Sequence, residues 1–218
     1  MKNKEIFLTP STIAYDLINK YTYPYEVLPH IHDYIVEIGN KLDNSYKCLN
    51  NNIWIAKDAI IADSAIINGP CIIDHGAELR PNAYIRGDAI IGKNSLLGNS
   101  CEIKNSILFD EVQIPHFSYI GDSILGYKSH LGAGVITANQ KSDKSNIDIK
   151  GEIILKTNLN KVGAFLGDSI EIGCNSVLYP GTIIGSNTTI YPLTNIRGII
   201  KPNVIVKHNN IIEKNKKL

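Results

Sequence analysis

Large aliphatic residues recur at every sixth position over most of the chain. The first series runs Ile55, Ile61, Ile67, Ile73, Leu79, Ile85, Ile91, Leu97 and Ile103. Four residues after each of these, up to Leu97, stands a small side chain: Ala59, Ala65, Cys71, Ala77, Ala83, Ala89, Ser95 and Cys101. The count slips by one residue after Ile103 and again after Ile120, and a second block runs from Leu166 to Ile196. A period of six fits neither an α-helix nor an amphipathic strand with its period of two.

This repeat predicts a mainly β protein built as a parallel β-helix, in which three short strands form one triangular coil of about 18 residues. The large aliphatic residue stacks on its equivalent one coil away, and the small residue leaves room for the chain at a corner. Successive coils are then separated by the ~4.8 Å spacing of parallel strands. We expect the β-helix to occupy residues 53–206. The spacing leaves its handedness open.

Three segments fall outside the repeat. Residues 1–52 carry apolar residues at helical spacing, so we expect a short helical N-terminal segment that covers the open end of the first coil or packs against a partner. Residues 140–160 are polar with short apolar runs, which predicts an inserted loop with a small hairpin projecting from the prism. Residues 207–218 are polar and basic, and we expect a flexible tail.

Composition narrows the class of protein. The 218 residues include 38 Ile but only 4 Phe and 1 Trp, as expected of a core with many equivalent sites. Lys and Arg number 22 against 21 Asp and Glu, so charge favours neither nucleic-acid nor membrane binding. Without a signal peptide or an apolar run near the ~20 residues of a membrane span, we expect a cytoplasmic protein. The 4 cysteines are too scattered for a disulfide framework or a metal knuckle.

The repeat also predicts which polar side chains lie side by side on the outside of the prism, because residues at equivalent repeat positions stack in adjacent coils. The predicted pairs are Arg86 with Lys104, Asn99 with His116, and Glu102 with Tyr119. A β-helix core has no use for these outward side chains. Together they are suited to binding an anion and moving a proton.

Residues 98–139 match a more specific pattern than the repeat. They contain G-N-x-x-E-x-K, then H-x-x-Y-x-G-D, then G-A-G-x-x-T-x-N. These motifs resemble the acetyltransferase half of the bacterial bifunctional enzymes that make UDP-N-acetylglucosamine, and the matching domain of archaeal sugar-1-phosphate nucleotidylyltransferases. Both belong to the hexapeptide-repeat acyltransferase superfamily, and weaker similarity extends over residues 53–200. The resemblance implies a left-handed β-helix that forms a homotrimer, with each active site in the groove between neighbouring prisms.

The resemblance further implies acetyl transfer from acetyl-CoA to an amino-sugar phosphate or related sugar. His116 would be the general base, a role that suits imidazole because it titrates near neutral pH. The substrate contacts would come from Arg86, Asn99, Glu102, Lys104, Tyr119, His130 and Asn139. Ala133 and Gly134 of the G-A-G turn would face the thioester, with the Ala133 N–H near its carbonyl. Cys174 would lie along the pantetheine arm of coenzyme A.

Two departures from the family pattern leave alternatives open. His130 stands where the family usually has Asn before the G-A-G turn, and the chain has no G-x-G-x-R-x-x-P loop, so uridylyl transfer is not expected. The acceptor is open between an amino-sugar phosphate, a nucleotide sugar and an unrelated molecule. A non-catalytic β-helix that binds a sugar or a partner is the second hypothesis.

A third hypothesis is a zinc hydratase of the carbonic anhydrase type. That chemistry needs three His side chains that converge on the metal. The available residues, His75, His116 and His130, stand at different positions of the repeat. We therefore expect no metal.

Overall fold

In the computed structural model, the chain forms a left-handed, three-sided parallel β-helix with a short helical N-terminal segment. The structure describes residues 1–151, 153–208 and 210–214. Each wall of the prism is a sheet of short strands, and every strand of a wall pairs in parallel with its equivalent one coil away. The fold class predicted from the six-residue repeat is confirmed.

We number the walls in the order in which the chain enters them. The parallel strands of the first wall are Ile53–Ala56, Cys71–Ile73, Ala89–Ile91, Ser106–Leu108, Ile124–Leu125, Ala164–Leu166, Thr182–Ile184 and Ile199–Ile200. Those of the second wall are Ile60–Ile61, Glu78–Leu79, Leu96–Asn99, Gln113–His116, His130–Leu131, Glu171–Ile172, Thr189–Ile190 and Val204–Lys207. Those of the third wall are Ile66–Ile67, Tyr84–Ile85, Glu102–Lys104, Tyr119–Gly121, Ile136–Thr137, Val177–Leu178 and Asn195–Ile196.

Inward aliphatic side chains stack in register to form the core. On the first wall, Ile73 aligns with Ile91, Ile91 with Leu108, and Leu108 with Leu125, and all four are fully buried. Full burial of such a side chain stabilises the fold by about 1.5–3 kcal/mol. The small residues predicted at the corners are buried from Cys71 to Cys101, whereas Ala59 and Ala65 in the first coil are partly buried.

The N-terminal segment contains three α-helices, Asn3–Ile6, Tyr15–Asn19 and Ile31–Gly39, and one 3₁₀-helix, Pro24–His30. It lies along the outside of the first wall, where Phe7 stacks on Phe109 with ring centroids 5.0 Å apart. The Ser186 hydroxyl donates to the Ile6 carbonyl at 2.8 Å near one end of the segment. At the other end, Gly39 lies directly against the Trp54 ring.

The helices of this segment therefore pack along the first wall and not over the open end of the first coil. The physical reason is that the first wall is apolar on both faces. Its outward column is buried throughout and consists of Trp54, Ile72, Ile90, Ile107, Ile124, Phe165 and Ile183. The edge of the first coil is covered by the last part of the same segment, the strand Tyr46–Leu49, which pairs antiparallel with Ile53–Ala56.

The inserted residues 140–160 contain the predicted hairpin, made of the antiparallel strands Asp148–Lys150 and Ile154–Lys156. The hairpin lies against the prism and does not project from it. Ile147 and Ile149 are buried and approach Gly181, and the Lys150 carbonyl approaches Gly198. Both glycines have a positive φ, +78° and +80°, a backbone conformation that other residues rarely adopt.

The tail, 207–218, which we expect to be flexible, contains a strand in its described part. Strand Asn210–Glu213 pairs antiparallel with Val204–Lys207. It returns because the last strand of the second wall otherwise leaves a row of backbone groups without partners. Residues 209 and 215–218 lie outside the described residues. Among the described helices, none combines the length and apolar character that a bilayer span requires.

Candidate active site

One corner of the prism, where the second wall turns into the third, carries several of the predicted site residues in a single column. The column occupies equivalent positions of successive coils and consists of Pro81, Asn99, His116, Ala133, Cys174 and Pro192. Backbone bonds link it: the Phe117 N–H donates to the Asn99 carbonyl at 2.9 Å and the Gly134 N–H to the His116 carbonyl at 3.1 Å. At ~4.8 Å per coil, Cys174 lies about 10 Å from His116 along the axis. We call this row the corner column.

His116 and Ala133 are neighbours in the corner column and have complementary hydrogen-bonding capacity. The His116 side chain is exposed, and its ring makes no hydrogen bond to any described residue. The Ala133 N–H likewise has no acceptor within the described part of the chain, whereas the Gly134 N–H is bonded to His116. An imidazole, a group able to accept a proton, therefore lies one coil from an amide able to stabilise a developing oxyanion.

The third wall presents a polar cluster next to this corner. Glu102 aligns with Tyr119 as predicted, and Arg86 Nη1 donates to Glu102 Oε1 at 2.8 Å. The Glu102 carboxylate raises the pKa of Arg86. Burial raises the pKa of Tyr119, and the nearby Asp122 carboxylate raises it further. At neutral pH, Arg86 is therefore a cation and Tyr119 a hydroxyl donor.

Asp122 organises this cluster, although the sequence analysis gave it no role. It is 3% exposed and lies at the corner between the third and first walls. Asn105 Nδ2 donates to its Oδ1 at 2.9 Å, Asn139 Nδ2 donates to its Oδ2, and Lys104 Nζ lies 3.4 Å from Oδ2. The buried carboxylate thus holds two predicted substrate contacts, Lys104 and Asn139, in fixed positions.

The signal for Asp122 was present in the repeat. Both slips of the six-residue count fall at this corner, just after Ile103 and Ile120. Each removes one residue from the turn into the first wall, and Asn105 and Asp122 have positive φ values of 42° and 49°. With one residue fewer, the backbone takes a tighter path around the corner, and the Asp122 side chain turns toward the interior of that corner.

Gly121 is the second site residue that the sequence analysis missed. A Cβ atom at this position would lie 2.5 Å from the Tyr119 hydroxyl and 2.8 Å from Asn139 Nδ2. Asn139 Nδ2 also contacts the Tyr119 hydroxyl at 3.2 Å. The absence of a side chain at Gly121 lets these two groups meet over the third wall.

The structure does not bring His130 to the third-wall cluster. His130 lies on the second wall, where its Nδ1 pairs with Glu171 Oε2 at 2.8 Å. It borders a groove of about 320 Å³ that also includes Gly132, Cys174 and Pro192. The groove lies on the second wall, next to the part of the corner column that contains Cys174. Within one chain, the residue that departs from the family pattern is therefore separate from Arg86, Lys104 and Tyr119.

The described residues contain no group of three or more His, Cys, Asp or Glu side chains arranged to hold a metal ion. Three histidines are each paired with a single carboxylate: His32 with Asp88, His75 with Asp58 and His130 with Glu171. The donors that meet in the candidate site are mainly cations and amides, which suit an anionic organic ligand.

Comparisons with known proteins identify relatives of this chain. The family model of the GMPPB C-terminal domain matches residues 67–162. The bifunctional protein GlmU of Methanococcus maripaludis is 34% identical over 178 residues, which cover 79% of this chain and 43% of that protein. A bifunctional sugar-1-phosphate nucleotidylyltransferase/acetyltransferase of Sulfurisphaera tokodaii is 37% identical over 95 residues, covering 43% of this chain and 23% of that protein. The chain thus spans less than half the length of these curated relatives.

Among solved structures, the polySia-specific acetyltransferase NeuO is 16% identical, and the alignment covers 72% of this chain and 80% of that chain with a TM-score of 0.44. The repeat, the left-handed β-helix and the sequence matches lead to one assignment: the chain belongs to the hexapeptide-repeat acyltransferase superfamily.

Proposed function

We propose that this protein transfers an acetyl group from acetyl-CoA to the amine of an amino-sugar phosphate or a related sugar. The observation that carries the proposal is the corner column, in which an exposed imidazole and a backbone N–H without an acceptor lie on adjacent coils beside a cationic cluster. The similarity to bifunctional nucleotidylyltransferase/acetyltransferases supports the reaction class.

In the proposed reaction, the amine nitrogen of the sugar attacks the thioester carbonyl carbon. The carbonyl oxygen gains negative charge, and the Ala133 N–H stabilises it. His116 accepts the proton that the attacking nitrogen loses. The C–S bond then breaks, and the same proton passes to the coenzyme A thiolate, so the products are an amide and a free thiol.

The coenzyme fits the part of the corner column that begins at Ala133. From Ala133 the column continues through Cys174 to Pro192, next to the groove of about 320 Å³ on the second wall. That groove has mainly apolar walls, as an extended pantetheine arm requires. The thioester would then stand at Ala133, one coil from the proposed base.

The acceptor fits the polar cluster on the third wall. Arg86 and Lys104 supply positive charge for a phosphate, and Tyr119 and Asn139 supply neutral donors. Lys104 is 18% exposed and partly neutralised by Asp122, so Arg86 is the more accessible cation. We place Glu102 near the sugar hydroxyls or the amine, since it is the acceptor of this cluster.

We further propose that the active protein is a homotrimer. His116 and the third-wall cluster lie on the outside of the prism, and a neighbouring prism against this corner would exclude water from the reacting groups. The first wall is already covered by the N-terminal segment, which leaves the corner between the second and third walls for the contact.

The test is release of thiol from acetyl-CoA with a panel of amino-sugar phosphates and nucleotide sugars. The variant H116N should lower kcat at least about 100-fold with a change in acceptor KM of less than about threefold, as expected for loss of a general base. The matched control is H208N, the same change at an exposed histidine on the last turn of the second wall.

Full activity of H116N would show that His116 is not the base. If no acceptor in the panel releases thiol while sugar ligands bind in calorimetry, the non-catalytic β-helix becomes the better description.

A further inference from the structure

A second cavity, of about 440 Å³, opens on the third wall beside the inserted hairpin. Its lining includes Lys141 and Lys150 from the insertion and Tyr179 and Arg197 from the third wall. Nothing in the reaction proposed above uses this cavity, and its side chains combine positive charge with an aromatic ring. We infer that it binds a nucleoside diphosphate, with the cations on the phosphates and Tyr179 against the base.

Position links this cavity to the candidate active site. The residues that follow each inward side chain of the third wall form a row of equivalent positions: Arg86, Lys104, Gly121, Ala138, Tyr179 and Arg197. Large side chains stand at both ends of the row, and the small Gly121 and Ala138 separate them. From Ala138, next to Asn139, the row reaches Tyr179 in one coil and Arg197 in two, about 10 Å. A ligand bound at Asn139 can therefore extend into the cavity across Ala138, whose small side chain leaves room for it.

The charges of the cavity favour an anion. Lys141, Lys150 and Arg197 face it together with Asp143 and Asp148. The Asp143 carboxylate is turned to its own loop, where it accepts from the Ser145 N–H at 3.0 Å and the Ser145 hydroxyl at 2.8 Å. The Lys141 ammonium also bonds within this loop, to the Ser145 hydroxyl and the Asn146 carbonyl, so the free positive charge comes from Lys150 and Arg197. Lys150 and Arg197 have no ion-pair partner within residues 1–151, 153–208 and 210–214. Asp148 remains to accept hydrogen bonds from a ribose hydroxyl or a base N–H.

Tyr179 gives the cavity its preference for a nucleoside over a simple phosphate. Its side chain is 42% exposed, so much of the ring is available to a ligand. Bases stack on exposed aromatic rings of this kind in proteins that bind single-stranded nucleic acids. Gly181 and Gly198, against which the hairpin packs, complete the lining of the cavity next to Tyr179.

Two molecules of the proposed reaction carry this chemistry, so the assignment rests on the proposed function. One is a nucleotide-sugar acceptor, whose diphosphate and nucleoside would extend from the third-wall cluster. The other is coenzyme A, whose far end is an adenosine with phosphate groups. The shared feature is a nucleoside with two phosphate charges, and the experiment separates the sources.

Calorimetry with uridine 5′-diphosphate and with adenosine 3′,5′-bisphosphate tests the site directly, without turnover. The double variant K150A/R197A should weaken binding of the preferred probe at least about tenfold, the loss of one charge-assisted hydrogen bond or more. The variant Y179L should weaken the same probe but leave inorganic pyrophosphate unchanged. The matched control K156A removes an exposed lysine from the same hairpin, outside the cavity, and should change binding less than twofold by the same reasoning.

Preference for uridine 5′-diphosphate, with a raised acceptor KM in K150A/R197A, assigns the cavity to a nucleotide-sugar acceptor. Preference for adenosine 3′,5′-bisphosphate, with a raised acetyl-CoA KM, assigns it to coenzyme A. If neither probe binds the wild-type protein, or both bind K150A/R197A as tightly, the inference is wrong. H116N should bind the probes normally, so loss of turnover and loss of this site are distinguishable.

Discussion

Replacement of Asp122 by Asn is the sharpest perturbation that the structure offers. The substitution keeps the shape of the side chain and removes its charge. Lys104, Asn105 and Asn139 all direct donors at the Asp122 carboxylate. An Asn side chain has one acceptor oxygen and turns an NH₂ group toward the remaining donors. The variant therefore leaves a partly buried ammonium without a counter-charge and at least one amide without an acceptor.

The expected cost follows from this geometry. Removal of one partner of a buried ion pair destabilises a protein by about 3–5 kcal/mol. Lys104 keeps 18% of its side chain exposed and can turn partly to water, so we expect the lower end, about 3 kcal/mol. For a chain of this length, 1 kcal/mol shifts Tm by about 2–4 °C, which gives a decrease of about 6–12 °C for D122N.

The assay is thermal unfolding followed by far-ultraviolet circular dichroism, with a double-mutant cycle. The partner variant is K104M, which removes the ammonium but keeps the length of the side chain. D122N/K104M should be more stable than the sum of the single changes by at least about 1 kcal/mol, because neither charge is then left alone. The control D63N changes an exposed carboxylate and should alter the free energy of unfolding by no more than about 0.5 kcal/mol.

A Tm of D122N within about 2 °C of wild type, or a strictly additive cycle, would refute this account of the corner. In the activity assay, D122N should raise the KM for the acceptor and leave the KM for acetyl-CoA unchanged, because Asp122 positions only third-wall groups.

Four further outcomes are expected. G121A should raise acceptor KM with little loss of stability, because the new Cβ displaces side-chain ends and not backbone. D168A should speed amide hydrogen exchange in the N-terminal segment at least about tenfold, since its buried carboxylate accepts from two backbone amides there. Acetyl-CoA should slow maleimide labelling of exposed Cys174 but not of exposed Cys48. Burial raises the pKa of Cys71 to about 12 from an ordinary 9.0, so native protein should leave this thiol unlabelled. Its contribution to stability should fall as pH rises from about 9 toward 12, where only the unfolded chain ionises.

Much of the β-helix was predictable from sequence because each coil repeats the same contacts. The alignment of Asn99 with His116 and of Glu102 with Tyr119 followed from counting residues, and the structure confirms both pairs. Such counting works only where strands are stacked at a constant interval. The corner column was partly accessible in the same way, but the insertion at 140–160 concealed that Cys174 follows Ala133 in the row.

The position of the N-terminal segment was not predictable from its own helical pattern. That pattern identifies an apolar face but not the surface that covers it. The outward column of the first wall, from Trp54 to Ile183, contains the missing information, because among the described residues neither of the other walls has an unbroken buried apolar column on its outside. Reading the positions next to the inward residues, and not only the inward residues, would have located the contact.

The role of Asp122 depended on a tertiary effect. Its motif marks it as one member of a G-D pair, and only the shortened corner shows that the carboxylate turns inward to Lys104, Asn105 and Asn139. His130 shows the opposite case: its place in the motif suggested a sugar contact, and the wall it occupies separates it from the cluster.

The amino-acid sequence alone specifies an isoleucine-lined prism, the register of its coils and the pairs of polar residues that stack on the outside. It can do so because residues at equivalent positions of a regular repeat lie at a constant distance from one another in the fold. Three-dimensional folding decides what covers a wall, because the N-terminal segment and the first wall are related by no period. It also decides which side chain at a corner turns inward, because the repeat determines the position of a residue but not the direction of its side chain.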